Sequence, residues 1–343
     1  MAFFGKSKIS AGLDIGSGMI KLVVVDHSKA QPEIIQVATS PLVPDAIVEG
    51  EIMDPVLVAE TIQSLVQSVG LKNKRVVAAV GGHDVIIKRI HMDRMSADDA
   101  REVIRWEAEQ HVPFDMENVQ LDFQILDPEG DGAQMSVLLV AAKRELIDNR
   151  MNLLADAGLS PVVIDVEAFA LHNAFEQSHP GGLDGIVALV NVGHETSNVN
   201  LLQNGVPVMV RDIPFGSRKV REALQRDRGL TADEAESIVQ GRSDDAKVDS
   251  LVSERIEELA VGIERAAAFL VAQSGGAISR VYVCGGGARI PGLVDALGSR
   301  LGIRTEEANP LHGVAVRADA MLDSVDDIAP MLMLPVGLAL RLA

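Results

Sequence analysis

Ten residues near the start of the chain, Leu13-Asp14-Ile15-Gly16-Ser17-Gly18-Met19-Ile20-Lys21-Leu22, have a counterpart further on. It is Val190-Asn191-Val192-Gly193-His194-Glu195-Thr196-Ser197-Asn198-Val199. Asp14 and Asn191, like Gly16 and Gly193, stand 177 residues apart. Each copy reads as strand, turn of small residues, strand, because the flanking runs are β-branched and apolar with no helical period. A repeat of this kind signals a duplicated supersecondary unit, which restricts the chain to a fold with two related halves. The length of 343 residues agrees, since one hydrophobic core rarely grows that large.

The remaining segments sort around these two anchors. Asp54 as cap, Pro55 in the first turn and Gly70 as stop predict a helix over Pro55 to Val69, with Val58, Ile62, Leu65, Val66 and Val69 on one face. Arg75 to Val80 follows as a buried strand. From Val85 the grammar changes to strand (to His91), helix (Ser96 to His111), strand (Val119 to Leu126) and strand (Gln134 to Ala142). A helix from Lys143 to Ala157 completes this inserted stretch. Val162 to Val166 then resumes as a buried strand, and Glu167 to Phe175 reads as a helix. The break His179-Pro180-Gly181-Gly182 marks the boundary between lobes. Beyond it come strands at Gly185 to Val192, Ser197 to Gln203 and Val206 to Arg211, the last two joined by Asn204-Gly205, a strong hairpin signal. Helices at Ser217 to Arg228 and Ala232 to Gln240 follow, the second opened by a Thr231–Glu234 capping box. A long amphipathic helix spans about Lys247 to Gln273, then a strand at Arg280 to Cys284, a turn at Gly285-Gly286-Gly287 and a helix at Gly292 to Leu301.

The glycine turns carry the chemistry. A dinucleotide-binding fingerprint needs a helix after its glycines, whereas Met19 to Val25 is a strand and Lys21 stands where the third glycine would fall. A Walker A loop fails too, because neither glycine cluster runs on into Gly-Lys-Ser/Thr. A hairpin turn remains, whose backbone N–H groups can converge on an anion because glycine permits close approach and positive φ. Lys21 then offers a point charge to phosphate, and Asp14 can hold Mg²⁺ through water. The turn Gly193-His194-Glu195-Thr196 can grip the same phosphates from the other half. Gly285-Gly286-Gly287-Ala288 lets backbone lie flat beside a base or ribose. Together these describe a nucleotide clamp.

Composition excludes other classes. A net charge of −18 repels phosphate backbones and argues against nucleic acid. The single cysteine, Cys284, permits neither a disulfide framework nor a cysteine-built zinc site; with no base partner evident, it reads as a buried strand-end residue. The amino terminus is too poor in apolar residues for a signal peptide, and no stretch reaches the roughly 18 continuous apolar residues of a membrane span. Ile328 to Leu340, broken by Pro330 and Pro335, is expected to pack inside a lobe. A soluble intracellular protein is the expectation.

These motifs resemble those of the actin-like ATPase superfamily, which includes actin, Hsp70 chaperones, sugar kinases and FtsA. Asp14 to Lys21 resembles its first phosphate motif, Asn191 to Thr196 its second and Val281 to Gly292 its adenosine motif. Asp165 to Leu171 and Pro335 to Arg341 resemble its connecting helices. Within the superfamily the chain is most similar to the PilM family of cytoplasmic type IV pilus assembly proteins. That likeness rests on Arg105-Trp106-Glu107-Ala108-Glu109-Gln110, Val112-Pro113-Phe114, Asp122 to Leu126 and Leu139 to Lys143.

The resemblance implies an α/β, two-lobed actin-like ATPase fold of duplicated ribonuclease H-like cores, with an inserted 1C (SHS2-type, strand–helix–strand–strand) subdomain. Residues 1–84 and 158–184 would form the 1A core of lobe I, with 328–343 returning to it. Residues 85–157 would form 1C, and 185–327 lobe II, including a helical 2B part at about 216–279. It further implies ATP with Mg²⁺ as cofactors. A groove between 1A and 1C would take the N-terminal cytoplasmic peptide of a PilN-like membrane protein, linking it to pilus motor components. Membrane contact would then be indirect, since the chain ends two residues after Arg341 without the amphipathic tail of FtsA. Homo-oligomers are compatible with the resemblance.

Site residues follow from these motifs. Gly16, Ser17, Gly18, Lys21, Gly193, His194, Glu195, Thr196, Glu236, Gly285, Gly286, Gly287 and Ala288 are the candidate nucleotide ligands. Asp14, Asp165 and Glu167 are the candidate catalytic groups, the last two to order a water or, for one of them, to cap a helix. Asp14 and Asn191 are the candidate Mg²⁺ holders through water. Asn191 stands where the family usually carries Asp, and a neutral amide binds the cation more weakly, so at most weak ATPase activity is expected. Trp106 reads either as core or as groove lining. Two rival functions are an FtsA-like cytoskeletal filament protein and a small-molecule kinase of the same superfamily.

Overall fold

The computed structural model describes residues 8–243, 248–274, 276–320 and 324–341. The chain opens with an antiparallel meander of β1 (Ile9–Ile15), β2 (Met19–Asp26) and β3 (Glu33–Pro41). A small hairpin of β4 (Ile47–Val48) and β5 (Glu51–Ile52) leads into α1 (Pro55–Ser68) and β6 (Arg75–Val80). The Asp54 carboxylate accepts the Leu57 N–H and Pro55 occupies the first turn, so α1 starts where its capping residues predict.

Next come β7 (Val85–Asp93), α2 (Ala97–Glu109), β8 (Val119–Ile125), β9 (Gln134–Lys143) and α3 (Arg144–Asp156). The strands pair antiparallel in the order β7-β9-β8. With α2 they close a separate core around Ile90, Ile104, Val137 and Leu139. Trp106 on α2 lies outside that core, 71% exposed. The sequence places α3 with this unit, but its Leu153 and Leu154 pack into the core beneath α1 and β6. β10 (Ser160–Val166) and α4 (Glu167–Ser178) complete the first half.

The second half repeats the plan with β11 (Ile186–Val192), β12 (Ser197–Gln203) and β13 (Val206–Ile213). Asn204 and Gly205 both take positive φ in the β12–β13 hairpin, the left-handed pair that an Asn-Gly turn supplies. Four helices follow: α5 (Ser217–Arg228), α6 (Ala232–Val239), α7 (Val248–Arg255) and α8 (Glu257–Ser274). The predicted single helix is thus two, parted at Ile256, and its expected first residue Lys247 lies outside the described residues. β14 (Arg280–Cys284), α9 (Leu293–Leu301), β15 (Arg304–Glu307), β16 (Ala315–Val316) and α10 (Met333–Leu340) end the chain.

The two large sheets run β10-β6-β1-β2-β3-β16 and β15-β14-β11-β12-β13. In both, a three-strand antiparallel meander is extended beyond its first strand by two parallel strands, and the first sheet adds β16 parallel to β3. The repeat seen in ten residues is therefore a duplication of a five-strand topology. Even the register is shared: Asp14 faces Lys21 across β1–β2, and Asn191 faces Asn198 across β11–β12, each displaced by 177. The turn bond is shared as well, Gly16 N–H to Met19 C=O and Gly193 N–H to Thr196 C=O.

Between the sheets α4 and α10 cross within a core drawn from both halves, including Val23, Phe175, Val187, Leu189 and Leu338. A Cβ on Gly337 would collide with the Ala170 carbonyl oxygen, and one on Gly12 with that of Pro335. The apolar run from Ile328 to Leu340 is mostly buried here, as its two prolines suggest. Among the described residues no helix is long and apolar enough to cross a membrane.

Candidate functional site

The repeated hairpin turns meet across a cleft of about 680 Å³, lined by Gly16, Ser17, Gly18 and Lys21 on one side and Gly193, His194, Glu195 and Thr196 on the other. Neither turn uses positive φ at its glycines, contrary to the expectation from sequence. Close approach requires them instead. A Cβ on Gly18 would stand 2.6 Å from His194 Cγ, so the first turn lies directly against the second through that ring. The His194 Nδ1 is 3.3 Å from Ser217 Oγ. Burial, reinforced by Arg221, holds its imidazole below the usual pKa, so it faces the cleft neutral.

Charge concentrates on the floor. Lys21 Nζ donates to Asp14 Oδ2 at 2.6 Å, with both side chains nearly buried. The carboxylate of Glu167, at the start of α4, fits where a Cβ on Gly81 would be. Burial and the neighbouring Asp14 carboxylate raise the Glu167 pKa to about 7. Asp212 of β13 accepts from Asn198 Nδ2 at 2.9 Å, and Arg150 of α3 lines the same region.

The raised Glu167 pKa has a stability signature. Between its ordinary value of 4.5 and about 7 the folded protein holds a proton that the unfolded chain has released. That contribution is complete below pH 4.5 and is lost as pH rises through 7. Glu167→Gln should therefore gain thermal stability relative to wild type as pH increases from 5 to 8. Melting curves at four pH values check this, and a wild-type-to-variant difference independent of pH contradicts it.

At the opposite end Glu236 is held by Arg221 Nη1 at 3.2 Å and Gln240 Nε2 at 2.6 Å. Gly285, at φ +87°, and Gly286 form the adjoining wall with Arg289 and Met331. A Cβ on Gly285 would strike Asn191 Oδ1, so the third glycine turn packs directly on the second hairpin turn. The cleft thus joins a glycine-walled end, bordered by Glu236, Arg221 and Arg289, to a floor bearing Asp14, Lys21 and Glu167.

Not every expected residue reaches it. Asp165 is 5% exposed and faces Arg341 at 3.5 Å, away from the cleft lining. Its pairing with Ala79 in the parallel β10–β6 ladder fixes it in the sheet. Gly287 and Ala288 are buried behind the turn, Gly287 against Val192, and do not line the cleft. Cys284 is buried and its thiol is pushed up to about 12, which leaves no nucleophile.

Sequence reasoning missed Arg150, Asn198, Asp212, Arg221 and Arg289. Arg150 had left a signal: with Leu146, Leu153, Leu154 and Ala157 it occupies one helical stripe, a lone charge among apolar residues.

The residues fit a nucleotide with a hydrated cation. Asn198 is nearly buried, lines the cleft, and its Oδ1 has no hydrogen-bond partner in the described structure. Among the described residues no group of three His, Cys, Asp or Glu side chains stands ready to hold a metal directly. Mg²⁺, which keeps much of its water, needs only one or two such oxygens plus phosphate.

Duplicated lobes, facing hairpin turns and two crossing helices define a two-lobed protein of the actin-like kind. The fold is shared with MreB 5 of Spiroplasma citri bound to AMPPNP, at TM-score 0.52 and 10% identity over 97% of this chain and 95% of that one. Residues 12–343 match the family of type IV pilus assembly protein PilM, and the chain belongs to that family. It is similar, at TM-score 0.84 and 29% identity, to a chain of the PilM-PilN type IV pilus biogenesis complex, covering 98% of this chain and 99% of that one. The cell division protein FtsA of Bacillus subtilis (strain 168) is 22% identical over 261 residues, 68% of this chain but only 57% of that longer protein.

Proposed function

We propose that this chain is an ATP-binding adaptor of the type IV pilus assembly machinery. In this reading it binds the N-terminal cytoplasmic tail of a PilN-like inner-membrane protein and links that protein to the pilus motor. The observation that carries the reading is the likeness, over nearly the whole of both chains, to a PilM-PilN complex. The site of the tail is the groove where the β7-β9-β8 unit meets lobe I, and attachment to the membrane runs through that partner from the cytoplasm.

The cleft supports the nucleotide half. Backbone N–H groups of the two turns and Lys21 face the phosphates, and Glu236 with the Gly285-Gly286 wall takes the ribose and base. Mg²⁺ would be held through water by Asp14, with Asn191 as the weaker neighbour, and would neutralise phosphate charge. Glu167, titrating near neutrality, is placed to order a water or accept its proton. Lys21 and Asp14 already neutralise one another, so an incoming phosphate competes with Asp14 for the ammonium. With an amide at Asn191, hydrolysis is slow and the protein works by binding. Nucleotide closes the lobes and shifts the population toward the partner-competent form.

Isothermal titration with ATP and Mg²⁺ tests the first half, and capture by an immobilised PilN-type tail peptide the second. Saturable binding in both is the expected result. The kinship with FtsA favours filament formation as the second reading, and sedimentation with ATP and lipid separates the two: the adaptor stays in the supernatant. Substrate-dependent ADP release at roughly 1–100 per second would instead mark a small-molecule kinase.

A further inference from the structure

The buried cation Arg150 enters none of the motifs above. It is 8% exposed, sits two turns into α3 and lines the cleft. Its side chain makes no hydrogen bond and no ion pair with any described residue, unlike Lys21 and Arg221, the other cations of the lining that are paired with carboxylates. The charges that act on it are Glu167 and Asp14. Asp14 is already committed to Lys21 at 2.6 Å, and Glu167 is seated against Gly81.

A guanidinium cannot shed its proton to escape burial. On the cleft wall, with its donors committed to no internal acceptor, it is free to bind an incoming anion. Such a group persists where an anion completes it, and its planar fork suits two oxygens of a phosphate.

Its position specifies which phosphate. Arg289, at the base end, belongs to the second half, its carbonyl oxygen against Gly241 and its guanidinium at Met331 Sδ. Arg150 stands on α3, which packs on β6, β9 and β10 of the first half, and it lines the cleft on the side where Gly81 follows β6 and Glu167 follows β10, with Asp14 and away from Arg289.

We propose that Arg150 is the residue that distinguishes a nucleoside triphosphate from a diphosphate, closing its fork on the terminal phosphate. This rests on the nucleotide reading of the cleft. Because Arg150 hydrogen-bonds to nothing else in the described structure, replacing it removes a ligand contact without breaking an internal one.

The test is titration of ATP and of ADP, each with Mg²⁺, into the full chain as wild type, Arg150→Met and Arg150→Lys, with melting temperatures of the ligand-free proteins. Arg150→Met should weaken ATP about tenfold or more and ADP by less than about twofold. Arg150→Lys, keeping charge but losing the fork, should fall between. The melting temperature of ligand-free Arg150→Met should stay close to that of wild type, since no internal hydrogen bond or ion pair is broken. Equal losses for ATP and ADP, or no loss in either, overturn the proposal, as does a clear drop in melting temperature in both variants, which marks a structural arginine. Wild type binding neither nucleotide overturns the cleft reading itself, a separate result.

Discussion

Gly18→Val is expected to weaken nucleotide binding by about 100-fold, equivalent to roughly 2.7 kcal/mol, while leaving the protein folded. The new Cβ would come within 2.6 Å of His194 Cγ and 2.9 Å of its Cβ and Nδ1. The ring cannot simply retreat. Its backbone is pressed from behind by Gly216, whose own Cβ position coincides with the His194 carbonyl group, and Ser217 stands at its Nδ1. The turns must therefore separate, and backbone donors aimed at one phosphate chain lose their common focus. Calorimetric titration reads the loss, and circular dichroism shows that the fold persists. A double-mutant cycle adds specificity: Gly18→Ala combined with His194→Gly should bind better than Gly18→Ala alone, because both the ring and the Cβ that meet the new methyl group have gone. Binding by Gly18→Val within about threefold of wild type would mean that the turns do not enclose the ligand between them.

Gly337→Ala should cost about 3 kcal/mol or more and lower Tm by roughly 5 °C. A methyl group there meets the Ala170 carbonyl oxygen, a backbone atom that no rotamer change can move aside. Core positions with a side chain opposite can repack; a helix crossing at backbone contact must shift a whole helix. Gly132→Ala serves as control, since its Cβ would stand 3.7 Å from the Gln134 carbonyl oxygen in a surface turn, and should change stability by less than about 0.5 kcal/mol. Thermal melts of both variants decide the matter, and equal shifts would show that the α4–α10 crossing yields more readily than its geometry implies.

Much of this was legible in the sequence because repetition and apolar periodicity are local. The 177-residue offset gave the duplicated hairpins and their register, and caps such as Asp54, Ser96 and the Thr231–Glu234 box placed helix starts. What escaped was set by tertiary contact. β3, the β4–β5 pair, β15 and β16 are short or mixed in polarity and become strands through their neighbours in the sheets. The parting of α7 from α8 at Ile256 has no proline or glycine to announce it. The role of Gly18 depends on a histidine 176 positions later. Asp165 illustrates the reverse error: an acid beside Glu167 in sequence points the other way, since strand and helix meet between them.

The lobes are fastened in two unlike manners. Behind the cleft, α10 lies in a core drawn from both halves and is held to α4 of the first half backbone on backbone, where Gly337 meets Ala170. Across its mouth, Arg218 of α5 reaches Asp45 at 2.8 Å and Glu195 at 3.0 Å, while Glu195 accepts the Glu49 N–H at 2.9 Å. The Arg218–Asp45 clasp is solvent-exposed and of the kind worth about 1 kcal/mol or less. Of the two joints the rim is therefore the cheaper to break: removing the Arg218 guanidinium takes away a surface clasp, whereas disturbing the rear means displacing a helix inside a packed core.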